Sequence, residues 1–171
     1  MTESRAKGKR GELAAAAAIG EVLGVPFRRT QQYNGLGRAD IEPVGGCDYL
    51  HFEVKSWGSR LTWWVKRAAA DPLHVANGLC YCELKALPKV LRGGIVARSS
   101  VSCGLAERAM EQAVRDAKGG ALPVVLIRQD GSPWLIVWRE SDDDAFGLRI
   151  MRLADELPPN PAAIGLVPRD A

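Results

Sequence analysis

Asp40 and Glu53 stand thirteen positions apart, and the residues between them leave the chain few ways to run. Gly45-Gly46 in the middle is a turn signal. The flanks carry apolar residues suited to strands: Ile41 and Val44 before the turn, Tyr49, Leu50, Phe52 and Val54 after it. A hairpin of this shape brings the end holding Asp40 beside the strand holding Glu53 and Lys55. Side chains alternate along a strand, so Glu53 and Lys55 share one face and Phe52 and Val54 the other. Two carboxylates and an ammonium then converge at a sheet edge.

Carboxylates held together repel, so they share a proton or bind a cation. Oxygen donors of this kind suit Mg²⁺, with Mn²⁺ as a substitute, and Mg²⁺ also accepts phosphate oxygens from a substrate. Such an ion acidifies a water and neutralises the charge that builds up during attack on a phosphodiester. Lys55 can orient that water or face the transition-state charge. An acid-x-Lys triplet alone is a common coincidence of composition; Asp40 and the hairpin context give it meaning.

A third acid has a position that asks for a partner. Residues 4–23 read as a helix, with Ser4 as cap, Gly24 as terminator and Pro26 following. At 100° per residue, Glu12, Ile19 and Leu23 fall within about 20° of one line. Glu12 therefore points with the apolar face, where a carboxylate needs compensation. Either it completes the metal site, which we favour, or it forms a salt bridge with a basic neighbour. Arg5, Lys7, Lys9 and Arg10 cluster in the first turns of the same helix. Basic residues there oppose the helix dipole, which fits phosphate contact or a solvated end equally.

Residues 25–33 read as a first strand and 34–37 as a loop leading to Arg38. Residues 57–106 read poorly, as an insertion or a dimerisation segment. Trp57, Trp63 and Trp64 there alternate with Arg60, Lys66 and Arg67, a pattern that fits core or interface better than base stacking. Asp71-Pro72 and Leu87-Pro88 read as turns, and 94–98 as a short strand. Residues 107–118 read as a second helix. Two strands, 122–127 and 134–138, follow it, joined through Asp130-Gly131. The sequence therefore predicts an α/β domain over residues 1–140, with a central mixed sheet flanked by helices. Beyond it, 141–171 read as an acidic loop and a proline-rich tail.

Over 171 residues the net charge is only +3, but it is unevenly spread. Residues 1–38 hold seven basic and three acidic side chains (+4), residues 139–171 four basic and seven acidic (−3). The basic front half suggests a polyanion partner. Cys47, Cys80, Cys82 and Cys103 do not resemble a disulfide framework, and the Cys-x-Cys spacing is tighter than usual for zinc, even with His74 as a further ligand. No apolar run is long enough to span a membrane, and the chain reads as cytoplasmic with reduced thiols.

The order helix with Glu, strand, loop with Asp, strand with Glu-x-Lys, helix, strand, strand resembles the PD-(D/E)XK nuclease superfamily. Within it the chain is similar to the Holliday junction resolvase-like nucleases of archaea and phages. The matching stretches are Lys7-Gly8-Lys9-Arg10-Gly11-Glu12, Gly37-Arg38-Ala39-Asp40-Ile41 and Phe52-Glu53-Val54-Lys55; the Glu111-Gln112-Ala113 helix and the Trp134 strand add to them. Ala39 replaces the proline of the motif's name. The resemblance implies a restriction-endonuclease-like fold. It places metal binding on Asp40 and Glu53, water activation on Lys55, and completion of the site on Glu12. It also implies DNA contacts from Lys7, Lys9, Arg10, Arg38 and Gln112. The implied activity is Mg²⁺-dependent hydrolysis of DNA at four-way or branched junctions by a homodimer. Alternatives are a nicking or restriction-type nuclease acting on duplex, and a catalytically silent DNA-binding protein on the same fold.

Overall fold

Rich in alanine and without a β-branched residue before Ile19, the stretch Glu3–Leu23 forms one long helix, α1. It ends where Gly24 takes the left-handed conformation (φ 69°) and the Val25 N–H bonds to the Gly20 carbonyl at 3.1 Å, a Schellman closure. The computed structural model describes residues 3–30, 38–47, 49–57, 73–92, 96–99 and 104–139. The expected loop at 34–37, the Trp63-Trp64 segment, Cys103, and everything from Glu140 onward lie outside them.

Among the described residues, eight strands form one mixed sheet. They are β1 (Phe27–Arg29), β2 (Ile41–Pro43), β3 (Leu50–Trp57), β4 (Leu73–Ala76), β5 (Leu79–Glu83), β6 (Val96–Ser99), β7 (Leu122–Gln129) and β8 (Leu135–Arg139). Their order across the sheet is β1-β2-β3-β7-β8-β5-β4-β6. The expected hairpin is present, with β2 antiparallel to β3 at Ile41↔Phe52. The β7–β8 hairpin is present too, with Val125 opposite Val137. β3 and β7 run parallel along eight residue pairs, from Leu50↔Leu122 to Trp57↔Gln129. The anticipated α/β architecture with a mixed sheet is the one observed.

Helices cover both faces. On one face α1 packs with the 3₁₀ turn Leu84–Ala86 and the short helix α2 (Leu87–Leu91) over Phe52, Val54, Val124, Leu126, Ile136 and Trp138. On the other, α3 (Gly104–Asp116) sets Ala106, Ala109, Met110 and Ala113 against Val125, Ile127, Leu135, Val137 and Tyr81. The alternation within each strand decides which side chain joins which core.

Three expectations need adjusting. Of the run 25–33, β1 takes Phe27–Arg29, starting after Pro26, while residues 31–33 lie outside the described residues. Leu87-Pro88 is not a turn: Pro88 sits in the first turn of α2, where its missing N–H has no intrahelical partner to lose. The described residues 73–92 and 96–99 of the middle segment extend the sheet through β5 pairing with β8.

Candidate active site

The site lies where β2 parts from β3. Their ladder ends at Ile41↔Phe52, with the Asp40 N–H donating to the Phe52 carbonyl at 2.8 Å. Thr30 pins the same turn from the other side. Its N–H donates to the Asp40 carbonyl at 3.0 Å, and its hydroxyl to the Ala39 carbonyl. Held this way, the Asp40 carboxylate accepts the Val54 N–H at 2.8 Å and substitutes for the strand partner that β2 no longer provides.

Glu53 and Lys55 follow on β3, on the face opposite Phe52 and Val54 as alternation requires. Lys55 Nζ donates to a Glu53 carboxylate oxygen and, at 2.9 Å, to the Gln112 side-chain oxygen on α3. Gln112 thus reaches the site by holding the lysine. Glu12 arrives from α1, which closes tightly on β3 at Gly11. A Cβ on Gly11 would stand 3.1 Å from Ser56 Cβ, so a larger residue would push Glu12 away from the strand. Arg29 of β1 donates to the Glu12 carboxylate, so the salt-bridge alternative for Glu12 is the one seen. The Glu12 charge still reaches both other acids.

Burial and like charge together make this cluster costly. Asp40 and Glu53 are only 7% and 4% exposed. The Asp40 carboxyl is pushed up to about 7, first by burial and then by the Glu53 charge, against the lowering effect of the Val54 N–H. Glu53 is also raised, by burial first, with Lys55 acting in the opposite direction and Asp116 and Glu12 adding to the rise. A cation near Asp40 and Glu53 would relieve both.

Among the described residues, no group of three or more His, Cys, Asp and Glu side chains is arranged to hold a metal ion. Two carboxylates are nonetheless a fitting donor set for Mg²⁺, which takes one or two from the protein and fills its octahedron with water and substrate oxygens. Asp40 and Glu53 would be the holders. Glu12 pairs with Arg29, and its charge acts on both of them.

The residues expected at DNA differ in their surroundings. Lys9, Arg10 and Arg38 are exposed, while Lys7 Nζ pairs with Asp130 of the β7–β8 turn at 3.2 Å. The zinc alternative loses its geometry. Cys80 and Cys82 enter the core beneath α1, whereas His74 stacks on Tyr81 on the other side of the sheet, centroids 5.3 Å apart.

Two residues near the site escaped the sequence reading. His51 is 4% exposed, with an Nε2 that has no hydrogen-bond partner among the described residues, and burial lowers its pKa. Asp116 of α3 acts electrostatically on both His51 and Glu53. The signal was available: His51 is two residues before Glu53 on a strand, and Asp116 four after Gln112 on a helix. Arg29 carried no such signal, since only the β1–α1 packing brings it to Glu12. No protein-family model matches the chain, and no curated protein matches it.

Proposed function

We propose that this protein is a Mg²⁺-dependent endonuclease of the PD-(D/E)XK type that hydrolyses DNA phosphodiesters, acting on four-way or branched junctions as a homodimer. One observation carries the reading. Asp40, Glu53 and Lys55 meet at the splayed edge of β2 and β3, with both acids buried and both raised in pKa. Both carboxyls stay raised although Asp40 accepts the Val54 N–H and Glu53 pairs with Lys55, so added positive charge would still be favoured there.

When bound, Mg²⁺ supplies Lewis acidity at the phosphate and a water of lowered pKa. The protein's own contribution is positional. Asp40 is fixed by the Val54 N–H, and Glu53 by its strand and by Lys55. Gln112 keeps the Lys55 ammonium beside the carboxylates, where it can orient a water or face the negative charge developing on the phosphate oxygens. Lys9 and Arg38 supply exposed positive charge for the backbone. A junction carries two equivalent strands, which a two-fold dimer matches.

One observation favours a second reading, DNA binding without cleavage: Glu12 and Glu53 are both ion-paired within the protein. The test is a labelled four-way junction beside its linear duplex, with Mg²⁺ or EDTA. Paired Mg²⁺-dependent nicks on the junction alone support the resolvase. Equal cutting of both substrates keeps the nuclease and removes the junction. Binding with no cutting under any divalent ion selects the silent protein.

A further inference from the structure

Over its middle turns, between Arg10 and Glu21, the outward face of α1 carries no charge. Between Arg10 and Glu21 the only charged residue is Glu12, and it turns inward to Arg29. Leu13 is 58% exposed, the most exposed of the large hydrophobic side chains among the described residues, and Ala17 on the next turn is exposed as well. Beside them lies an open groove of about 340 Å³ lined by Ala16, Ala17, Gly20, Gly24, Pro26 and Phe27. An uncharged stretch with an exposed leucine on the outer side of a helix, flanked by opposite charges, is suited to a partner helix.

We propose that this groove is the homodimer interface, occupied by α1 of a second copy running antiparallel across a two-fold axis at Ala17. In this register Leu13 of each protomer enters the space framed by Ala17, Gly20, Glu21 and Gly24 of the other, a knob in a four-residue hole. The charges match the same register. Arg10, exposed one turn before Leu13, lies within a turn of the partner's Glu21, and the symmetry produces that pairing twice. Antiparallel helices also oppose their dipoles. The arrangement assigns Arg10 to the protein interface and leaves Lys9 and Arg38 for phosphate. Glu12 lies on the buried side of the helix, so both candidate sites stay open.

The proposal deepens the dimer part of the nuclease reading, yet it is tested without DNA. Sedimentation equilibrium of the full chain should show a dimer. Leu13→Glu should raise the dimer dissociation constant by roughly 30-fold, with the circular dichroism spectrum and melting curve of a folded protein. Arg10→Glu should raise it by roughly tenfold, and Arg10→Glu combined with Glu21→Arg should restore it. Ala17→Cys should form an intermolecular disulfide on mild oxidation, since close-packed Ala17 positions on the axis bring the two Cα atoms into bonding range. A wild-type monomer at all concentrations overturns the proposal, whether α1 is then bare or covered by another part of the same chain. A dimer indifferent to Leu13→Glu and to the charge swap places the interface elsewhere and overturns it too.

Discussion

Two pairs of buried ionisable groups sit in the same sheet: Asp40 with Glu53, and Cys80 with Cys82. In both, burial is the largest force raising a pKa. The Cys82 thiol is driven far above its ordinary value by burial, with Cys80 and Glu83 adding, and nothing nearby favours its charged form. It stays neutral among Leu84, Ile136 and Trp138. Asp40 feels the same burial but also accepts the Val54 N–H, faces Lys55, and is held only to about 7. Burial alone produces core; burial with placed donors and a competing charge leaves a carboxylate that a cation can still ionise.

The largest effect should come from removing one acid of the reactive pair. Glu53→Gln should lower single-turnover cleavage of a junction by roughly 10³-fold while leaving junction binding measurable by gel shift. A loss below tenfold would mean that Glu53 is structural, as Cys82 is.

Next in size is the pH dependence of metal-free stability. The unfolded Asp40 side chain releases its proton near pH 4, while the folded one holds it to about 7. Because the folded pKa is raised, the unfolded chain loses its proton first, and stability falls as pH climbs between those values. The loss should be on the order of a few kcal/mol, levelling off above about 7, and urea midpoints across that window measure it. Asp40→Asn should flatten the slope and stabilise the metal-free protein at pH 8. A slope unchanged by the substitution would show that Asp40 is not the group responsible.

On the inert side, Cys82→Ser puts a hydroxyl into apolar surroundings and should cost about 1–3 kcal/mol. Cleavage per folded molecule should not change. A drop in specific activity greater than the folded fraction explains would erase the distinction between the two pairs. The smallest effect belongs to a pair outside both, the Arg28–Glu42 bridge of 2.8 Å at the sheet margin, with Arg28 59% exposed. Arg28→Met should shift stability by no more than about 1 kcal/mol, and less at high salt.

What could be read in advance follows from how local the forces are. The β2–β3 hairpin, α1 and the β7–β8 hairpin announce themselves through Gly45-Gly46, the Ala-rich run closed by Gly24, and Asp130-Gly131. Alternation alone puts Glu53 and Lys55 on one face. β4, β5 and α2 were not legible, because Leu79-Cys80-Tyr81-Cys82 is apolar without a period and is buried on both faces of the sheet. At the site, helical spacing turned Glu12 inward, but its partner Arg29 is fixed by packing between β1 and α1, which no spacing encodes. Gln112 enters only as a DNA contact implied by the resemblance, and its bond to Lys55 depends on how α3 lies over β3.

The most direct test is calorimetric titration of Mn²⁺ into the protein at pH 8, for wild type, Asp40→Asn and Glu53→Gln. Saturable binding in wild type, lost in both variants while each melts as a folded protein, is the result expected of a cation site made by Asp40 and Glu53. Identical binding in all three, or none in wild type even with a DNA junction present, would contradict it.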